Sequence, residues 1–262
     1  MARVSTRIEN HVARVTLTRP DKRNAIDPEM ARAIVVAGED LMQADIRAVV
    51  LAGEGPSFCA GLDVMSFAAL AAADPVATVM PRTHGDANLF QQVALVWRDL
   101  PVPVIAALKG AVYGAGFQMA LGADIRIAAP DAQLAIMEMK WGLVPDMGGM
   151  VLLPRLARSD VIRRMTYTAE PVPAAQAQAW GLVTELADDP EAAALALAQT
   201  IAGKSPSAIR AAKALIGSAE SGLDEADVLL AESRAQAGLI GQPDQMEVIA
   251  ANMARRPPRF DA

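Results

Sequence analysis

The sequence predicts an α/β protein whose helices cover a largely parallel sheet. Three observations predict this: a strand, a helix and a strand follow in order between residues 12 and 52, the pattern returns between 76 and 128, and from 174 onward the apolar spacing is almost purely helical. Residues 12 to 18 (VARVTLT) alternate apolar and polar as a half-buried strand does, and Arg19-Pro20-Asp21 stops them. Asp27-Pro28-Glu29 opens a helix to about Gln43, with Asp27 as the cap, Pro28 in the first turn and Glu29 favourable to the dipole. Ile46 to Ala52 (IRAVVLA) reads as an apolar strand closed by Gly53-Glu54-Gly55-Pro56, completing a right-handed βαβ unit. A long helix is expected from Val76 to Arg98, then a strand from Val104 to Leu108. Tyr113-Gly114-Ala115-Gly116 opens a helix from Phe117 to Gly122, and strands follow at Ile125 to Ala128 and Leu134 to Ile136. Helices at 174 to 180, 190 to 202, 206 to 216 and 224 to 238 complete the chain. The Ala-rich stretch 68 to 73 predicts a mobile helix or loop.

At 262 residues the chain is near the size at which one core stops growing, so one main domain with a smaller appendage is expected. Hydrophobic residues make up 53% but aromatics only 4%, so Ala, Val, Leu, Ile and Met must fill the core. Charged residues interrupt every apolar run short of the roughly 18 to 20 residues a bilayer span needs. Charges in MARVSTRIENHVARVTL stand where an export signal needs apolar residues, so the expectation is a cytoplasmic protein without a membrane span. The single Cys59 forms no internal disulfide, which fits a reducing compartment. A net charge of -6 repels polyanions, which argues against nucleic acid as a partner. An anionic small ligand would depend on local cations, of which Lys22 with Arg23 and Arg255 with Arg256 and Arg259 are the clusters, each equally readable as solvated surface. No His or Cys grouping has metal-ligand spacing.

Three segments place glycine where a backbone is sharply turned or closely approached. They are Ser57 to Asp63, Pro103 to Gln118, and Met137 to Gly149. The first two pass from a strand through a glycine turn toward a helix, which leaves unpaired N–H groups pointing out of the turn. Two such turns side by side make an oxyanion hole, although glycine at a strand end is also ordinary turn chemistry. On the residues alone, Glu138 reads more readily as a surface group on a short strand, while Asp146 is readable as a helix cap and Gln118 as a polar residue in a first helical turn.

In order along the chain, LTRPDKRNAI, SFCAGLD, PVIAALKGAVYGAGFQMALGADIRIA, GLVPDMGG and the closing RRPPRF resemble the crotonase (enoyl-CoA hydratase/isomerase) superfamily. The resemblance implies a crotonase-like spiral of ββα units over residues 1 to 200, a helical trimerisation region over 201 to 262, and a homotrimer or dimer of trimers. It implies an acyl-CoA thioester as the substrate, with no further cofactor and no metal. In that family two backbone N–H groups hold the thioester oxygen, and the matching positions are Leu62 and Ala115. Ala115 stands where the family usually has glycine, and because the donor is backbone the added methyl only narrows φ and ψ. Of two glutamates that handle water in the hydratases, the first falls on Gln118, which cannot exchange a proton near neutral pH, and the second on Glu138. Asp146 lies where dienoyl-CoA isomerases place a catalytic aspartate and aryl-CoA dehalogenases a nucleophile. The implied CoA site takes Lys22, Arg23 and Ala25 after the first strand, backbone at Ala60 and Leu62, and Arg255, Arg256 and Phe260 from the tail of the same or a neighbouring subunit.

The reading these residues favour is double-bond isomerisation, with Glu138 removing a proton beside the thioester and Asp146 or Glu138 returning one elsewhere. The alternatives are a hydratase using Glu138 with Gln118 or Asp146, a hydrolase or dehalogenase with Asp146 as nucleophile, and an acyl-CoA-binding protein without chemistry. His84 lies in the variable stretch and is a candidate for the acyl pocket.

Overall fold

The computed structural model describes residues 2–66 and 72–260; the soft stretch beginning at 68 falls largely outside them. A hairpin opens the chain, β1 (Val4–Glu9) and β2 (Val12–Leu17), turned through Asn10 and His11 at φ 51° and 62°. Both turn residues are left-handed, as a two-residue hairpin whose twist matches its strands requires. Only β2 was predicted. Five of the six β1 residues are exposed, so no apolar alternation marks it.

α1 (Pro28–Met42) starts as expected, its Asp27 side chain accepting the Met30 N–H, and leads to β3 (Ala48–Gly53), parallel to β2. The long helix expected from 76 to 98 is two helices, α2 (Pro75–Val79) and α3 (Leu89–Asp99). Pro81 lacks the N–H a helix needs, Gly85 takes φ 61°, and Asn88 restarts the helix through a reciprocal capping box with Gln91. β4 (Val104–Leu108), β5 (Ala111–Tyr113), α4 (Ala115–Leu121), β6 (Ile125–Ala128) and β7 (Gln133–Ala135) follow. A short α5 (Gly149–Leu152), which starts at Gly148 with no side-chain cap, and α6 (Ser159–Thr168), which was not foreseen, precede the two-residue strand β8 (Val172–Pro173), α7 (Ala174–Ala179) and β9 (Glu185–Leu186). The chain closes with α8 (Pro190–Ala202), α9 (Pro206–Glu220), α10 (Glu225–Leu239) and α11 (Pro243–Met253).

The strands form two sheets, one ordered β1-β2-β3-β4-β6-β9 and parallel after its first pair, the other ordered β5-β7-β8. The chain steps from one sheet to the other and then into a helical segment. β4 leads to β5 and α4, and β6 leads to β7 and the 3-10 turn Glu138–Trp141. Burial on both faces explains the continuous apolar strands. Val49 and Leu51 of β3 face α1 and α3, while Ala48, Val50 and Ala52 face α8, which presents Ala194, Ala198 and Ala202 one turn apart. A stripe of alanine lets that helix lie close to the sheet. By contrast, Ala251 is the one buried residue on α9, α10 and α11 among the described residues. α9 is held by Lys213, whose Nζ donates to the Trp97 and Val102 carbonyls and to Asp124.

Candidate active site

The functional segments converge because each follows the C-terminal end of a strand. The loop after β2 brings Lys22 and Ala25, the loop after β3 brings Ala60 to Met65, the turn after β5 brings Tyr113 to Ala115, and the turn after β7 brings Met137 to Trp141. With Leu143, Val144, Asp146 and Met147 they line one cleft of about 630 Å³. Most of that lining is apolar, which is the environment for an acyl chain.

Asn24 fastens the first wall. Fully buried at φ 56°, it donates from Nδ2 to the Glu54, Ser57 and Phe58 carbonyls and accepts the Arg19 N–H, clamping the loop after β2 onto the loop after β3. Arg19 adds a charge-assisted bond to Asp63 at 2.7 Å. Burial alone would push the Asp63 carboxyl up, but the Met65 N–H and the Arg19 guanidinium together hold it below its ordinary value. Neither Asn24 nor Arg19 was a sequence candidate.

The two glycine turns are laced together, the Cys59 N–H bonding to the Ala111 carbonyl and the Tyr113 N–H to the Cys59 carbonyl. A Cβ on Gly61 would stand 3.0 Å from the Tyr113 oxygen and 3.9 Å from the Ala115 nitrogen, so the turns touch. In the pairing of Ile26 with Leu62 the bonds are made by the Gly61 carbonyl and the Asp63 N–H, which directs the Leu62 N–H away from Ile26. The Ala115 N–H opens α4 and has no acceptor inside the helix. Among the described residues neither of these two N–H groups is given a partner. Left-handed backbone falls on Gly61 (φ 100°) and Gly114 (φ 49°), so Ala115 carries its methyl without that strain.

Glu138 sits beside the second turn, where a Cβ on Gly114 would be 3.4 Å from its Oε1. That oxygen accepts from Gln118 Nε2 at 2.5 Å, while Oε2 is buried and unpartnered among the described residues. Burial raises the Glu138 carboxyl and the Asp146 charge adds to the rise, against the pull of nearby N–H groups. Asp146 lines the same cleft, exposed to solvent but surrounded closely enough by protein for burial to push its carboxyl up as well. Gln118 does not reach the cleft surface. It is fully buried, and its Oε1 accepts the Met147 and Gly149 N–H groups.

Several candidates lie elsewhere. Arg23 is exposed and absent from the cleft lining, though its carbonyl accepts the Ala60 N–H. His84 pairs with Ala87 outside the cleft. In the single chain the tail does not reach the cleft. Phe260 packs under Arg47 at the N-terminal end of β3, opposite the site, and Arg256 is paired with Glu247 while Arg255 is exposed. Tyr113, Lys140 and Trp141, which line the cleft, had no distinguishing signal beyond adjacency to the glycine motifs.

The family model for enoyl-CoA hydratase/isomerase matches residues 7–262. The human mitochondrial Delta(3,5)-Delta(2,4)-dienoyl-CoA isomerase is 35% identical over 216 residues, which are 79% of this chain and 66% of that protein, so the match spans slightly under two thirds of the relative's length. The 1,2-epoxyphenylacetyl-CoA isomerase of Escherichia coli is 31% identical over 98% of this chain and 97% of its own. In structure, an enoyl-CoA hydratase from a Polaromonas species superposes with a TM-score of 0.88 at 28% identity, covering 98% of this chain and 99% of that one.

Proposed function

Because the chain belongs to the enoyl-CoA hydratase/isomerase family, we propose that it isomerises a double bond in an acyl-CoA thioester by moving a proton between two carbons. The observation that carries this reading is the pair of carboxyls, Glu138 and Asp146, facing one apolar cleft beside two unpartnered backbone N–H groups. The thioester oxygen accepts from the Leu62 and Ala115 N–H groups. Glu138, whose charged form accepts the Gln118 donor, removes a proton from a carbon conjugated with the thioester, and the electron pair passes to that oxygen as an enolate. Asp146, lining the same cleft, supplies the proton to a more distant carbon as the enolate collapses. No water is consumed and both carboxyls exchange one proton per cycle. The dienoyl-CoA isomerase among the relatives supports this choice, since its name is that of a double-bond isomerase.

Lys22 at the cleft mouth, Ala25 and the backbone at Ala60 and Leu62 hold the CoA portion. The exposed faces of α9 to α11 pack between copies in a homotrimer or dimer of trimers, and only such a neighbour brings Arg255, Arg256 and Phe260 to the ligand. A hydratase reading has less support here, because Gln118 Oε1 already accepts two backbone donors and its amide nitrogen is turned to Glu138 rather than to a water.

The test is a panel of unsaturated acyl-CoA thioesters incubated in heavy water and read by mass spectrometry. Deuterium entering the acyl chain without addition of water is expected, and is lost in Glu138→Gln. A 3-hydroxyacyl product would overturn isomerisation, and wild-type exchange in Glu138→Gln would reassign the base.

A further inference from the structure

The same buried amide touches both walls of the carboxylate pair. Gln118 Oε1 accepts from the Met147 N–H at 2.9 Å and the Gly149 N–H at 3.0 Å, and its Nε2 donates to Glu138 Oε1 at 2.5 Å. Two backbone donors at one atom identify that atom as the oxygen, which turns the NH2 toward Glu138. Met147 directly follows Asp146, so the bond to its N–H holds the peptide from which the Asp146 side chain springs. The approach is built for: a Cβ on Gly149 would lie 2.7 Å from Gln118 Oε1, so only glycine admits the amide there. Meanwhile Glu138 Oε2 is buried with no partner among the described residues, although a buried carboxylate oxygen normally finds one.

We propose that Gln118 is the positioning residue of the carboxylate pair. It holds Glu138 Oε1 as a fixed acceptor, which makes Oε2 the oxygen that exchanges a proton with the acyl chain, and through Met147 and Gly149 it fixes the span from that oxygen to Asp146. An amide does this without titrating itself. The inference rests on the reading of Glu138 as the base.

Two variants separate positioning from mere packing. Gln118→Glu keeps an oxygen for both loop N–H groups but sets a second carboxylate against Glu138; Gln118→Leu removes both kinds of bond. Glu138 is followed by carbon-13 carboxyl NMR, its signal assigned by its loss in Glu138→Gln, a measurement that needs no turnover. The pH profile of solvent-deuterium exchange into an enoyl-CoA is recorded beside it. In both variants Glu138 is expected to titrate at higher pH than in the wild type, in Gln118→Leu because the donor to its charged form is gone and in Gln118→Glu because a like charge faces it as well, and exchange at neutral pH to fall about tenfold or more. Acyl-CoA affinity should be unchanged, and the melting temperature should fall in Gln118→Leu more than in Gln118→Glu. A Glu138 titration unmoved in Gln118→Leu overturns the proposal, since there the donor to the charged form is gone and no new charge has been added. Full exchange in Glu138→Gln would instead remove the base reading, and the NMR titration would still decide the role of Gln118.

Discussion

At the scale of single residues, the two carboxyls of the cleft work against the fold that holds them. Burial raises Glu138 and Asp146 above their ordinary values, so the folded chain binds these protons more tightly than the unfolded one. Stability therefore falls as pH rises from the ordinary carboxylate range through the raised folded values, and the loss persists at neutral pH. Glu138→Gln removes one of these charges while keeping an oxygen for Gln118. It is expected to melt above the wild type at neutral pH, with the gain shrinking as pH falls through the folded titration, as thermal melts between about pH 4 and about pH 8 would check. Equal melting temperatures at neutral pH would show that the site tolerates the charge without penalty. Glu138 and Asp146 were legible in the sequence because they stand at fixed places in a motif. Asn24 was not, since a polar residue after Asp21-Lys22-Arg23 looks like any loop residue until its three carbonyl partners, more than 29 positions away, are brought to it.

At the scale of elements, legibility followed the strength of local signals. The βαβ unit from β2 to β3 was readable because β2 alternates apolar and polar, β3 is apolar on both faces and α1 has a proline-supported Asp cap. The break between α2 and α3 was missed because apolar spacing runs on across Pro81, and the capping box of Asn88 and Gln91 outweighs it. β8 and β9, two residues each, exist only as partners of strands already in place. α8 offers a direct test of packing. Ala198 is fully buried in the alanine stripe against the sheet, so Ala198→Leu forces the helix outward. Urea unfolding should show a loss of about 1–3 kcal/mol, and a stability within a few tenths of wild type would mean that the helix is not seated on the sheet.

At the scale of the whole molecule, the helices after α8 leave Ile216, Leu229, Leu230 and Ile240 exposed, at 61%, 54%, 47% and 58%. So much apolar surface on consecutive helices is what the proposed contact between copies would cover. The protein is expected to sediment at three or six times the chain mass, and the double substitution Leu229→Glu with Leu230→Glu to shift it toward the monomer and make its melting temperature fall on dilution. Sedimentation of the wild type as a monomer at micromolar concentration would end that proposal and, with it, any part for Arg255, Arg256 and Phe260 in holding CoA.

The lone thiol gives the molecule an internal gauge. Cys59 lies wholly inside, between the two glycine turns, with a Cβ on Gly116 only 2.7 Å from its sulfur, and burial pushes its pKa up to about 12. An alkylating reagent can meet the thiolate only when those turns part, because the protonated, enclosed sulfur is inert. The rate of alkylation thus clocks how often the floor of the cleft opens, with no label to attach and no second cysteine to confuse the signal. A thioester bridging both turns should slow that clock.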